Sequence, residues 1–184
     1  MDMAEAFGRA SDGFVLRAAD VREDQWRSPT PCSEWDVRAL VNHVAVEWLW
    51  VPEMMAGKNI ADVGDRFEGD VLGSNPQKLV EEARLRASAA LSAAGAAERI
   101  VHLSFGDTPA SDYAMQMTAD AVIHTWDLAR AIGADERLDS ALVDLIYGYL
   151  QGMAETWRAA GAFGPVRTTD DPSTQAKLIA LTGR

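Results

Sequence analysis

The chain has 184 residues, of which 48% are hydrophobic and 24% charged, and its formal net charge is −11 at pH 7. This length and apolar content suffice for one domain with its own core, and the absence of repeats or linker composition predicts a single domain over residues 1–184. The acidic balance excludes an extended phosphate-binding surface, because nucleic-acid affinity depends on clustered lysine and arginine.

Neither an export signal nor a membrane span is indicated. The apolar residues of the first twenty positions are spaced rather than continuous, and the apolar run at residues 45–52 is interrupted by Glu47. We therefore expect a cytoplasmic protein without membrane or nucleic-acid partners. The single cysteine, Cys32, excludes an intramolecular disulfide.

The first predicted element is an amphipathic helix. Apolar residues at steps of three and four begin near Met3 and fade near Asp20. A connector with two prolines follows at residues 28–33, and its prolines hold the chain extended.

The second predicted helix carries the first histidine. Ser33 or Asp36 can cap its start, and its apolar positions continue toward Gly57 with His43 near the middle. Residues 58–75 are polar and dotted with glycine, which predicts a long loop.

The third helix and an extended segment come next. Asn75 and Pro76 form a cap followed by proline at the first helical position, and Gly95 is expected to end the helix. Residues 99–105 alternate in character, which predicts a short extended piece before a turn-like stretch at 106–109.

Two further helices complete the pattern. Helical spacing runs from about residue 110 to 132, where Gly133 stops it, and again from about 140 to 159. Past Gly161 the tail is predicted to be irregular until residues 176–181.

Two histidines and one aspartate are candidate metal ligands. Asp120 and His124 are four residues apart, so on a helix they project from the same face, and His43 would approach from another helix. Two imidazoles and one carboxylate can hold a divalent ion and leave coordination positions open. Taken alone, histidines on apolar faces are more often hydrogen-bonded core residues than ligands.

Two acidic residues accompany these candidates. Glu47 follows His43 by four residues, so it can orient that imidazole or join the metal, although a partly solvated charge is the favoured interpretation. Asp127 follows His124 by three residues and can accept a hydrogen bond from it, as metal-bound histidines require, or stabilise a turn.

The remaining chemically distinctive residues are given structural roles. His102 is interpreted as an ordinary residue of the extended segment. Cys32 is interpreted as structural and dispensable for chemistry, because no histidine lies near it in the sequence. Core or pocket-wall positions are predicted for the six tryptophans, Trp26, Trp35, Trp48, Trp50, Trp126 and Trp157.

Two sequence motifs carry a family resemblance. Residues 30–44 (TPCSEWDVRALVNHV) and 120–131 (DAVIHTWDLARA) resemble the family named for the amino-terminal domain of mycothiol-dependent maleylpyruvate isomerase. That family belongs to the DinB-like, or YfiT-like, superfamily of metal-binding helical bundles. Residues 178–184 also resemble the ends of its single-domain members, so the likeness covers nearly the whole chain.

The resemblance implies an all-α fold and a ligand set. The expected fold is a four-helix bundle in up-down-down-up order, with the long crossover at residues 58–75 and an extra irregular C-terminal tail. The family's metal ligands fall on His43, Asp120 and His124. The isomerase has glutamate where this chain has Asp120, whose shorter side chain is expected to reach a metal differently or through water.

The resemblance also implies a class of chemistry. The isomerase has a further carboxy-terminal domain that this chain, ending at Arg184, is expected to lack, so maleylpyruvate isomerisation is not the expected reaction. We predict a metal-dependent enzyme that uses a low-molecular-weight thiol of the mycothiol type to transfer or isomerise a small electrophile. Zinc ranks first as the metal, and nickel, iron and manganese suit the same ligands.

Two alternative functions remain open. In one, the bundle is a non-catalytic dimerising or ligand-sensing module, compatible with a homodimer, and its metal site is vestigial or structural. In the other, metal-activated water makes the protein a hydrolase. An open coordination position facing a pocket favours an enzyme, and a closed or collapsed site favours the module.

Overall fold

Helices dominate the structure, a computed structural model that describes residues 1–184. The chain divides into two compact units, residues 1–136 and residues 137–184. The all-α prediction is confirmed, and the single domain over residues 1–184 stays a prediction. None of the helices combines the length and apolar character needed to span a membrane.

The first unit holds five helices and one hairpin. A short 3-10 turn at Glu23–Gln25 also lies between its first two helices. Its elements are α1 (Met3–Ala19), α2 (Val37–Met55), α3 (Ile60–Val63), α4 (Pro76–Leu91), β1 (Ile100–Leu103), β2 (Gly106–Pro109) and α5 (Ala110–Ile132).

Four of these helices form a bundle around an apolar core. Helix α1 packs against α4 and α5, and so does α2, which places α1 and α2 diagonally across the bundle. Trp48 of α2 fills the centre, where its ring meets Phe7 at 5.9 Å and Phe14 at 5.6 Å, both edge-on. All three side chains are fully buried, so the core fixes α2 relative to α1.

The predicted caps are formed, with one difference at a helix end. Asp36, rather than Ser33, caps α2, because its Oδ1 accepts a hydrogen bond from the Ala39 amide at 2.9 Å. Asn75 caps α4. That helix ends at Leu91, so Gly95 lies past it in the following turn.

The crossover between α2 and α4 is tied to α2 beside His43. It contains the one-turn helix α3, which the sequence pattern did not predict because the turn is only four residues long. Asn42 donates to the Gly69 carbonyl at 2.9 Å and accepts from the Val71 amide at 2.8 Å. One side chain therefore anchors the crossover next to a candidate ligand.

The predicted extended segment is one strand of a hairpin. Strand β1 pairs antiparallel with β2, with Val101 opposite Thr108 and His102 opposite Asp107. No second strand was predicted, but the turn lies at residues 104–105 and residues 106–109 form the second strand. The residue types at 106–109 did not indicate a strand, because glycine, aspartate and proline favour turns.

The second unit agrees with the predicted helix followed by an irregular tail. It contains α6 (Ser140–Ala159) and α7 (Thr174–Leu181), and Ser173 caps α7. Gly183 packs so closely on Gly164 that an added Cβ would lie 2.7 Å from the Gly164 backbone. The predicted tail helix begins two residues early, at Thr174, and residues 164–172 before it are irregular, as predicted.

Candidate metal centre

Helices α2 and α5 bring the three predicted ligands together. His43 lies in the middle of α2, and Asp120 and His124 lie one turn apart on α5. Asp120 Oδ1 is 3.3 Å from Nε2 of His43 and 3.3 Å from Nε2 of His124. One carboxylate oxygen is therefore shared by both imidazoles.

The spacing of these donor atoms fits a single divalent ion. All three lie within 4.8 Å of one another. Nitrogen and oxygen ligands about 2.0–2.2 Å from a tetrahedral ion are roughly 3.3–3.6 Å apart, which matches the two distances to Asp120 Oδ1. The other oxygen, Asp120 Oδ2, is buried without a hydrogen-bond partner, as expected for an atom that a cation would satisfy.

Solvent reaches two of the three candidate ligands more than the third. The side chains of His43 and Asp120 are 27% and 21% exposed, whereas that of His124 is 7% exposed. A further ligand could therefore approach past His43 and Asp120 without displacing His124.

The electrostatics of the cluster favour a charged carboxylate beside charged imidazole. Burial opposes ionisation of Asp120, but the charges of His124 and His43 outweigh it and hold the pKa of Asp120 well below its usual range. Burial likewise opposes the charge on His124, yet Asp120 raises the pKa of His124 well above its usual value. In the metal-free protein, a proton on His124 therefore supplies part of the positive charge that a cation would supply.

Asp127 fixes the orientation of His124. Its Oδ2 accepts a hydrogen bond at 2.9 Å from Nδ1 of His124, and its side chain has no exposed surface. With Nδ1 held by this carboxylate, Nε2 is directed toward Asp120. This is the arrangement expected of a metal-ligating histidine, and it realises the hydrogen bond predicted for Asp127.

Cys32 belongs to the same cluster, which sequence reasoning missed. Its thiol lies 3.4 Å from Asp127 Oδ2, and it forms a second close group of candidate ligand atoms with His124 and Asp127. The two residues are 95 positions apart, so no local spacing could have signalled their contact.

Trp35 forms a wall of the site. Its ring centroid lies 4.6 Å from that of His43 and 5.7 Å from that of His124. The pocket-wall role was predicted for the tryptophans as a group, but nothing in the spacing singled out this one. Its ring limits how far either imidazole can turn.

Glu47 and His102 differ in their relation to the cluster. Burial, followed by the charge of Asp120, raises the pKa of Glu47. Its side chain is half-buried, and its role as a partly solvated charge stays a prediction. Burial, with a further effect of Glu47, also raises the pKa of Tyr113 on α5. His102 lies outside the cluster and is 2.7 Å from Asp107 across the hairpin, in keeping with its predicted ordinary role.

Residues 7–129 match the model of the mycothiol maleylpyruvate isomerase N-terminal domain. The chain belongs to this family. Two relatives, Uncharacterized protein Rv0738 and Uncharacterized protein MT0763 from two strains of Mycobacterium tuberculosis, are each 33% identical over 147 residues, which cover 77% of this chain and 74% of theirs.

A solved structure shares the fold. It is the crystal structure of a histidine-to-alanine mutant of the mycothiol-dependent maleylpyruvate isomerase, with a TM-score of 0.67 and 18% sequence identity. The match covers 95% of this chain and 78% of that one. At this identity the likeness shows the fold alone.

Proposed function

We propose that His43, Asp120 and His124 bind one divalent metal ion, and that the protein uses it with a low-molecular-weight thiol to transform a small electrophile. The observation that carries the proposal is the sharing of Asp120 Oδ1 by two imidazole nitrogens, each at 3.3 Å. The buried oxygen of Asp120 without a partner supports it, as does the Asp127 contact behind His124.

The donor set determines which chemistry is supported. Two imidazoles and one carboxylate match zinc sites that leave a fourth position for an exogenous ligand, so zinc ranks first. When bound, such an ion would stabilise the thiolate form of a thiol, and the thiolate is the nucleophile. The family's name associates it with mycothiol, which is why we propose a thiol of this type as the cosubstrate.

The chain's own residues orient and enclose the reacting groups. The partly exposed side of His43 and Asp120 gives an entry path, and the Trp35 ring covers both imidazoles from another direction. We propose transfer or isomerisation of a small electrophile as the reaction. The cytoplasm is the proposed location, since thiols there are kept reduced.

Metal analysis of tag-free protein tests the proposal. We expect about one equivalent of metal per chain in the wild type and loss of that metal in His43→Ala and in His124→Ala. His102→Ala is the matched control, because this histidine also pairs with an aspartate but lies outside the cluster. Full metal content in both ligand variants would contradict the proposed site.

A further inference from the structure

The thiol of Cys32 points at the carboxylate behind His124. Cys32 lies in the turn before α2, and this turn is held by its own hydrogen bonds: Thr30 Oγ1 accepts from the Cys32 amide at 3.1 Å and donates to the Trp35 carbonyl at 2.9 Å. The thiol donates to Asp127 Oδ2 at 3.4 Å. The position of the thiol is therefore set by a built turn.

One buried oxygen receives both contacts. Asp127 Oδ2 accepts from Nδ1 of His124 at 2.9 Å and from the Cys32 thiol at 3.4 Å. Because the Asp127 side chain has no exposed surface, water cannot readily replace a donor that is removed. Removal of the thiol would leave the Asp127 carboxylate less firmly oriented. The His124 imidazole that this carboxylate holds would then also be less firmly oriented.

We infer that Cys32 is a positioning residue for the metal ligand His124, acting through Asp127. The inference rests on the proposed function, since it assigns His124 as a ligand. Cys32 then couples the turn before α2 to helix α5 and lowers the freedom of the imidazole that has to meet the ion. Its role is that of a hydrogen-bond donor to a carboxylate, not that of a nucleophile.

Two substitutions separate this role from simple space filling. Cys32→Ala removes the donor, whereas Cys32→Ser keeps one, because a hydroxyl is shorter but donates more strongly than a thiol. Thr118→Ala is the matched control: Thr118 is also buried and on α5, but its hydroxyl bonds to the Ala114 carbonyl of its own helix.

The first measurement is zinc affinity by competition with a chromophoric chelator. Partners behind a metal ligand typically contribute 10–100-fold in affinity, and a thiol is a weak donor, so Cys32→Ala should lose about tenfold. The zinc affinity of Cys32→Ser should lie within about threefold of the wild-type value. The zinc affinity of Thr118→Ala should equal the wild-type value. Thermal unfolding of the metal-free variants verifies that each remains folded.

The second measurement does not need a metal. The chain has three histidines, so the Nδ1–H proton of His124 can be assigned in ¹⁵N-histidine-labelled protein with His43→Ala and His102→Ala. In the metal-free wild type this proton should exchange slowly with water, and in Cys32→Ala it should exchange at least about tenfold faster, because the carboxylate that holds it is less fixed.

The outcomes distinguish this inference from the proposed function. Wild-type zinc affinity and unchanged Nδ1–H exchange in Cys32→Ala would overturn the positioning role while leaving the metal site intact. Wild-type protein that binds no zinc would overturn the proposed function, and the exchange of the His124 proton in metal-free protein would still decide whether Cys32 holds the His124–Asp127 pair.

Discussion

Nδ1 of His124 lies 2.9 Å from a carboxylate oxygen of Asp127 that is shut off from solvent. A second aspartate–histidine pair, His102 and Asp107, has a distance of 2.7 Å but lies exposed on the hairpin. The two pairs have similar distances and different surroundings. Substitutions in each pair can therefore be compared to test whether the buried pair, unlike the exposed one, affects metal binding.

We predict that Asp127→Asn weakens zinc binding by about 10–100-fold, because the amide no longer provides a charged acceptor behind His124. Asp107→Asn should leave zinc affinity unchanged. Chelator competition measures both variants, and equal affinities for Asp127→Asn and the wild type would show that the buried pair serves the fold alone.

A thiol should bind directly at the metal centre. With cobalt in place of the native metal, we expect a sulfur-to-cobalt charge-transfer band on addition of mycothiol or a simpler thiol, with apparent affinity rising with pH because a proton is released. The band should be absent in His124→Ala. Cobalt-loaded protein without a spectral change at saturating thiol would favour the hydrolase or the non-catalytic module.

Glu53 should make stability dependent on pH. The hydrogen bond from Lys58 lowers the pKa of Glu53 from the ordinary value of 4.5. Burial raises this pKa, and the charge of Arg66 lowers it further. A carboxylate with a lowered folded-state pKa contributes stability that is fully present above the unfolded-state value and is lost as pH falls through the folded-state value.

The test of this linkage is urea unfolding of Glu53→Gln at pH 7 and near pH 3. Because both cationic partners are partly exposed, we expect the free energy of unfolding to fall by about 1 kcal/mol or less at pH 7. The decrease should be smaller near pH 3. Glu23→Gln, at an exposed position in the 3-10 turn, is the control. An equal loss at both pH values would contradict the assignment.

Gly183→Ala should destabilise the second unit more than Gly161→Ala. Both glycines have a positive φ, +84° and +85°, so both substitutions carry the same backbone strain of about 1–3 kcal/mol. At Gly183 the added Cβ would also collide with the Gly164 backbone, whereas at Gly161 it would meet nothing within 4 Å. Hydrogen exchange of the α7 amides measures the difference, and equal exchange in the two variants would refute the clash.

The helices were largely predictable because their signals are local. The spacing and end signals of α5 and α6 placed both helices at the bounds that the structure has, and the four-residue step between Asp120 and His124 placed both on one face. Approach of His43 from another helix required the family resemblance, since no periodicity relates α2 to α5.

The contacts that cross the fold were not predictable in this way. Cys32 and Asp127 meet only because the turn before α2 packs beside α5, and this depends on the whole bundle. The raised pKa of Glu47 was not predictable for the same reason, because the burial that causes it depends on neighbours far away in the sequence. Strand β2 was missed because its residues have turn composition, and pairing with β1 overrides that preference.

The position of Trp35 gives the protein an intrinsic optical reporter. Its indole lies within 6 Å of both imidazoles, whereas the ring of Trp48 contacts Phe7 and Phe14 in the core. Indole emission is quenched by nearby protonated imidazole and by paramagnetic ions. The emission of Trp35 should therefore brighten when zinc displaces the proton of His124 and dim when cobalt binds. The difference between wild type and Trp35→Phe isolates this signal, so occupancy can be followed in solution without a label.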